Sequence, residues 1–158
     1  MDLICASICY RGYADDEVAA TLELAPKIGY GLMEIHGPVL WSLEAVEAFD
    51  LPAMKARVEA SGMKCVGLHT LGWGGADDED VRVRARAIAR VVGFAEELGC
   101  HHVTTTGASR RDEAGALNRV VACVRQVLDQ TSGDSPVKLT LEPHYGNVLQ
   151  QPEDFQEV

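Results

Sequence analysis

The chain has 158 residues, of which 47% are hydrophobic and 24% are charged. This length predicts a single domain over residues 1–158, large enough to fold around one core without a disulfide or a metal. The 14 basic residues against 24 acidic residues give a net charge of −10, which disfavours general binding to nucleic acid because contacts to phosphates need basic side chains.

Five short runs rich in Val, Ile, Leu and Thr predict β-strands. They cover residues 3–8, 31–36, 63–70, 101–106 and 137–142. Successive runs start 28 to 38 residues apart, which is the size of a strand followed by a helix. No positively charged residue precedes the first run, so we interpret it as a strand and not as a signal peptide.

The intervals between these strands predict helices with recognisable ends. The first helix begins near Asp16 and is expected to end or kink at Pro26, because proline removes a backbone hydrogen bond from a helix interior. In the second interval Asp50 is a predicted N-cap, Pro52 suits the first turn, and the Ser-Gly pair at 61–62 is a stop signal.

The third and fourth intervals carry apolar residues at helical spacing. Asp77 and Gly99 suit the two ends of the third helix. A further helix is predicted to begin at Pro152. The predicted buried stripes are Val81, Ala85, Ile88, Val92 and Ala95 in the third helix, and Leu117, Val121, Val124 and Leu128 in the fourth.

The cysteine pattern and the hydropathy set the expected environment of the chain. Its five cysteines, at positions 5, 9, 65, 100 and 123, form no CxxC pair, and their number is odd. A disulfide framework or a zinc knuckle is therefore not expected, and reduced thiols in a cytoplasmic protein are the better interpretation. No run approaches the roughly 18 apolar residues of a membrane helix, so no contact with a membrane is expected.

Strands that alternate with helices, without a hairpin signal, predict a parallel sheet with right-handed crossovers. Two architectures fit this order: an open doubly wound sheet and a (β/α)8 TIM barrel. Alternate strand residues separate an apolar face from a polar one, as in Leu139 and Leu141 against Thr140 and Glu142. A doubly wound sheet would be apolar on both faces. We therefore predict an α/β fold, a partial TIM barrel with about five βα units.

Glu142 is the first candidate for chemistry, because it ends the fifth predicted strand and Pro143 turns the chain directly after it. Active sites of TIM barrels lie at the C-terminal ends of the strands, where His36, His69 and Thr106 also fall. A carboxylate is a ligand for Mg²⁺ or Mn²⁺ and, with nitrogen partners, for Zn²⁺ or Co²⁺. The alternative is an acid paired with a neighbouring Lys or Arg.

His69 ends the third predicted strand and precedes a glycine-rich loop that contains Trp73. An imidazole there could donate to a substrate oxygen, transfer a proton or bind a metal, and the alternative is a hydrogen-bonded structural histidine. The ring of Trp73 could form a wall of the pocket. His144, in the loop after Glu142, is either a substrate-binding residue or an exposed loop residue.

Three other residues are interpreted as structural, with part of the pocket floor as the alternative role for Glu34. Glu34, inside the second strand, would be costly to bury alone, so a cationic partner is expected. His101 and His102 open the fourth strand at the bottom face of a barrel, where residues serve stability.

Four segments of the chain together resemble a known family. They are LAPKIGYGLMEIHG, VEASGMKCVGLHT, AEELGCHHVTTTG and VKLTLEPHYGNVLQQPEDFQEV. They are similar to segments of the xylose isomerase-like TIM barrels of the sugar phosphate isomerase/epimerase superfamily. That superfamily includes keto-sugar epimerases, hydroxypyruvate isomerase, inosose dehydratase and isomerase, and the type 2 apurinic endonucleases.

The resemblance implies a role for individual residues. Glu142 matches a metal-bridging glutamate and is expected to be both metal ligand and catalytic residue. The carboxylate that moves the proton is either Glu142 or an acid of the family's eighth strand. His69 is expected to be catalytic, near the substrate or the metal. His144, Trp73 and His36 are expected to bind substrate.

Two departures from the family pattern bear on the function. At the end of the fourth strand this chain has Thr106 and Gly107, where the endonucleases carry a metal-binding histidine. The family takes further metal ligands from its sixth, seventh and eighth strands, which lie beyond the five predicted units. We therefore expect that the chain is the N-terminal five-eighths of a longer enzyme.

The function implied by the resemblance is isomerisation or epimerisation of a keto sugar, a sugar phosphate or an inositol-like polyol through an enediolate, with Mn, Mg, Co or Zn as the divalent metal. An inosose-dehydratase-like hydro-lyase, a type 2 apurinic-endonuclease-like protein and an inactive partial barrel are the alternatives. The expected partner is a small sugar or polyol, with no nucleic acid and no membrane, and assembly as a homo-oligomer is left open.

Overall fold

The computed structural model describes residues 2–158 and contains a five-stranded parallel sheet. All five predicted strands are confirmed, each somewhat shorter than predicted. The strands lie side by side in chain order, as a TIM barrel requires, whereas a doubly wound sheet reverses its order at a switch point. They are β1 Ile4–Ala6, β2 Leu32–His36, β3 Lys64–His69, β4 His102–Thr105 and β5 Lys138–Leu141.

Helices connect the strands, and their predicted starts are confirmed by side-chain caps. Asp16, Asp50 and Asp77 each accept a hydrogen bond from the backbone N–H three residues later, which satisfies a donor that the first turn of a helix leaves free. The helices are α1 Glu17–Leu24, α2 Leu43–Ala48, α3 Leu51–Ser61, α4 Asp78–Leu98 and α5 Ala116–Gln130.

Short helices interrupt a simple alternation of strand and helix, among them 3-10 helices at Ser7–Tyr10 and Pro38–Leu40. The first helix gives way to a 3-10 turn, Pro26–Ile28, as Pro26 predicts. The short helix α2, capped by Ser42, was not predicted. The helix expected at Pro152 is a 3-10 helix, Pro152–Gln156.

The buried face of α5 lies one residue away from the predicted stripe. Leu128, predicted to be buried, is 57% exposed. Two stripes one residue apart have the same helical spacing, so periodicity alone does not choose between them, and a buried Cys123 acts as a small apolar residue. The residues that face the core are Ala116, Val120, Cys123 and Val127.

The two faces of the sheet differ as predicted. Met33, Ile35, Leu68 and Val103 are completely buried in the hydrophobic core. On the opposite face the strand register forms two rows of mostly polar residues. The lower row is Glu34, Gly67, His102 and Lys138, and the upper row, toward the C-terminal ends of the strands, is His36, His69, Thr104 and Thr140.

Glu34 meets His102 in the lower row. A Cβ atom on Gly67 would lie 2.2 Å from Nε2 of His102, so the absence of a side chain at Gly67 makes room for the imidazole. Nε2 of His102 is 3.8 Å from Oε1 of Glu34, so His102 lies where a cationic partner of Glu34 was expected. Burial raises the pKa of Glu34 and lowers the pKa of His102, so burial disfavours the charged form of both groups.

The five cysteines are free thiols. None of the helices within residues 2–158 combines the length and the hydropathy that a membrane span requires.

Gly75, just before α4, is expected to tolerate no side chain. Its φ is +155°, and a Cβ atom would lie 2.9 Å from the backbone nitrogen of Val81 and 3.1 Å from the carbonyl carbon of Asp80. Gly75→Ala therefore adds backbone strain and a contact with a rigid helix turn. We expect it to lower the free energy of unfolding by about 2–4 kcal/mol, measured by urea denaturation.

Gly93→Ala is the matched control for this substitution. Gly93 lies inside α4, and apart from its own helix turn a Cβ atom there would meet no atom of residues 2–158 within 4 Å. Alanine has the better helix propensity, so this variant is expected to gain about 0.5–1 kcal/mol. A Gly75→Ala variant as stable as the wild type would contradict the backbone geometry assigned to Gly75.

Candidate active site

A pocket of about 480 Å³ opens at the C-terminal ends of the strands. Four of the five residues that the sequence proposed for the site contribute to its lining: His36, His69, Glu142 and His144. This location is where TIM barrels carry their chemistry, because the loops after the strands converge there.

Three aromatic rings form one side of this pocket. The rings of His36 and His69 are stacked, with centroids 3.8 Å apart and planes inclined by 15°, since the register places the two residues side by side on neighbouring strands. The ring of Trp41 meets both edge-on, with centroids 5.8 and 6.4 Å away. Burial lowers the pKa of both imidazoles to about 4, and for His36 the proximity of His69 adds to the effect. Both rings are therefore neutral at pH 7.

Glu142 follows the outer strand β5 and faces His69, which ends the middle strand β3. Its backbone N–H donates to the carbonyl of Thr105 over 2.9 Å, which continues the pairing of β4 and β5 for one residue. Oε2 of Glu142 lies 3.4 Å from Nε2 of His69, and the side chain of Glu142 is 45% exposed. Because His69 is neutral at pH 7, this contact is not a full ion pair. Nδ1 of His69 is buried and makes no hydrogen bond within the described chain.

These two side chains are candidate ligands for a divalent metal. The carboxylate of Glu142 and the imidazole of His69 are suitable donor types for Zn²⁺, Co²⁺ or Mn²⁺. Residues 2–158 contain no group of three or more His, Cys, Asp or Glu side chains that could hold an ion. The donor types therefore fit a divalent metal, but within residues 2–158 they do not form a complete set of ligands.

The loop after β5 forms the remaining wall. The backbone N–H of His144 donates to the carbonyl of Leu149, and Nδ2 of Asn147 donates to the carbonyl of Gly107 over 3.0 Å. The first bond closes the loop on itself, and the second holds it against the segment that follows β4. The imidazole of His144 stays exposed beside the pocket.

Trp73 is not part of the pocket, so the prediction that it binds substrate is wrong. Its backbone N–H donates to the carbonyl of Thr106 over 2.8 Å, and its carbonyl accepts from Ala108. This pairing aligns the loop after β3 with the loop after β4. The indole of Trp73 is 0% exposed and packs into the hydrophobic core.

Among the lining residues that were not predicted from the sequence are a tryptophan and an arginine. The indole beside the imidazoles is Trp41, and Cζ of Arg11 lies 4.3 Å from the centre of its ring. Nε of Arg11 donates to Oε1 of Glu17 over 3.1 Å. Both lining residues lie in connections after β1 and β2, whose course a strand pattern does not reveal. The only sequence signal was for Trp41, which follows closely after His36 at the end of β2.

Comparison with known proteins places this fold in a family. The family described as Xylose isomerase-like TIM barrel matches residues 22–158. A protein of Xanthomonas campestris pv. campestris (strain B100) named family protein CutC is 35% identical over 96 residues, which are 61% of this chain and 35% of that protein.

Two solved structures share the fold. The IolI protein with a bound zinc atom superposes with a TM-score of 0.72 at 16% identity, covering 99% of this chain and 57% of that one. A D-allulose 3-epimerase from Methylomonas sp. in complex with D-allulose gives 0.72 at 12% identity, with the same coverage of 99% and 57%. Identities this low show a common fold alone.

The coverage agrees with the strand order. The chain spans about 57% of the length of these two structures, as expected for a partial barrel. The five parallel strands lie in sequence order, and the family match extends over most of the chain. The chain belongs to the xylose isomerase-like TIM barrel family.

Proposed function

We propose that the protein encoded by the whole gene is a divalent-metal-dependent isomerase or epimerase of a keto sugar, a sugar phosphate or an inositol-like polyol. The observation that carries this proposal is the carboxylate of Glu142 at the C-terminal edge of the sheet, 3.4 Å from His69, in a pocket that Trp41 also lines. Carboxylates and imidazoles form hydrogen bonds with hydroxyl groups, and an indole packs against the C–H face of a sugar ring.

Isomerisation next to a carbonyl begins with removal of a proton from the adjacent carbon. Among residues 2–158, Glu142 is the carboxylate that lines the pocket, and we assign it to the movement of that proton. The neutral imidazole of His69 would form a hydrogen bond with a substrate oxygen. A bound divalent ion, held in part by Glu142, would stabilise negative charge on the substrate oxygens.

The solved structures support this class of substrate and cofactor. One contains D-allulose and is a 3-epimerase, and the other contains a zinc atom. An inosose-dehydratase-like hydro-lyase would begin with the same proton removal. The net charge of −10 and the presence of a single Arg or Lys side chain, Arg11, in the described pocket argue against an endonuclease.

Hydrogen exchange tests the proposed reaction directly. The whole-gene protein is incubated in D₂O with Mn²⁺ and with D-fructose, D-allulose, D-fructose 6-phosphate or an inosose in turn, and the products are followed by NMR. We expect deuterium at the carbon adjacent to the carbonyl of at least one compound, together with a new isomer or epimer. Protein treated with a chelator is the control.

The outcome separates the alternatives. Loss of water from the labelled compound would assign a hydro-lyase in place of an isomerase. No exchange with any compound, in the presence of Mn²⁺, Mg²⁺, Co²⁺ or Zn²⁺, would contradict the proposed function and favour an inactive barrel.

A further inference from the structure

The end of the pocket next to β1 contains a cation that the proposed chemistry does not use. We propose that Arg11 forms an anion subsite, which selects sugar substrates that carry a carboxylate or phosphate group. This inference rests on the proposed function and names its substrate class more narrowly.

Two contacts hold the guanidinium of Arg11 in place. Nε donates to Oε1 of Glu17 over 3.1 Å, and Cζ lies 4.3 Å from the centre of the Trp41 ring. Within residues 2–158, the two terminal Nη groups make no hydrogen bond. A guanidinium is a planar fork of donors, so these contacts leave one edge of the fork, with its paired N–H groups, available to a ligand.

Glu17 lies behind this fork and away from solvent. Its side chain is 12% exposed, whereas that of Arg11 is 43% exposed. Oε2 of Glu17 is buried without a hydrogen-bond partner, and a Cβ atom on Gly37 would lie 2.7 Å from it, so Gly37 makes room for the carboxylate. The charge that faces the pocket is therefore the guanidinium, and Glu17 positions it.

The strand order places this cation and the proposed reaction centre after different strands. Arg11 follows β1 and Glu142 follows β5, the two outer strands of the sheet, and both side chains line the same pocket. A substrate that reaches both needs its anionic group at one end and its reacting carbon near the other. A carboxylate or a terminal phosphate matches the fork of Arg11 through two parallel hydrogen bonds.

Binding of three related compounds tests the subsite without relying on turnover. Calorimetry with the whole-gene protein compares D-fructose, D-fructose 6-phosphate and D-fructuronate. The wild type is expected to bind the phosphate, the carboxylate or both at least tenfold more tightly than D-fructose. Arg11→Met keeps an unbranched stem over Trp41 and removes the charge, so we expect a roughly tenfold to hundredfold loss for the anionic compounds and less than about threefold for D-fructose.

Matched variants separate the subsite from general damage. Arg86→Met removes the same charge from the exposed surface of α4 and is expected to leave all three affinities unchanged. Arg11→Lys keeps the charge without the fork and is expected to restore only part of the anion preference. The relative losses for phosphate and carboxylate identify which anion the site takes.

Three results would overturn the subsite. An anion preference that persists in Arg11→Met, or equal losses for D-fructose and for the anionic compounds, would remove Arg11 from recognition and leave the proposed function standing. Binding of none of the three compounds would also overturn the subsite, and absent deuterium exchange in the same preparation would contradict the proposed function with it.

Discussion

Glu142→Gln is expected to lower the turnover of the sugar substrate by about 10²–10⁴-fold and to weaken the binding of Mn²⁺. The amide has nearly the shape of the carboxylate but cannot accept the substrate proton and is a poorer metal ligand. Turnover is measured with the compound that exchanges deuterium, and metal binding by calorimetry. Because the side chain is 45% exposed and its ion-pair partner within residues 2–158 is a neutral imidazole, the free energy of unfolding should change by less than about 0.5 kcal/mol.

Glu97→Gln is the control for this experiment. Glu97 lies on the exposed surface near the end of α4, so the variant removes the same charge outside the pocket. We expect wild-type turnover and metal affinity from it. Unchanged turnover and metal binding in Glu142→Gln would remove Glu142 from the chemistry and leave its contact with His69 as a structural one.

Trp73→Ala is expected to lower the free energy of unfolding by about 3–5 kcal/mol. The indole of Trp73 is 0% exposed, and truncation to alanine leaves a cavity among side chains that have little room to move. Urea denaturation measures the loss. Trp73→Phe should cost less, because the smaller ring still fills most of the space and removes an indole N–H that is buried without a hydrogen-bond partner within residues 2–158.

Trp41→Ala is the matched comparison, because Trp41 lies in the pocket and is only partly buried. We expect it to cost less than half as much stability as Trp73→Ala and to weaken sugar binding by roughly twofold to tenfold. The opposite result, with stability lost in Trp41→Ala and sugar affinity lost in Trp73→Ala, would contradict the placement of the two indoles.

Most of the fold could be predicted from local patterns. The runs of β-branched and apolar residues locate the five strands, and Asp16, Asp50 and Asp77 locate helix starts. Each of these signals acts within a few residues, through an alternating side-chain direction or a single cap. The barrel architecture was predicted from the contrast between the apolar and polar faces of each strand. That contrast is a local property, because a single βα unit already displays it.

The candidate site likewise contains residues that local patterns could place and residues that they could not. His36, His69 and Glu142 could be placed together because the C-terminal ends of parallel strands meet at one edge. Arg11 and Trp41 could not, since they lie in loops whose direction depends on packing against neighbouring elements. Trp73 was misplaced for the same reason, because pairing with the loop after β4 turns its ring into the core.

By itself, the sequence determined a parallel βα chain with a carboxylate and two histidines at the ends of its strands, because periodicity and caps are local properties. Only the tertiary structure decided which indole lies beside those histidines, which face of α5 is buried, and that Glu17 positions Arg11 in the pocket. Those features depend on contacts between residues distant in sequence or on the packing of whole elements, and no local spacing encodes them.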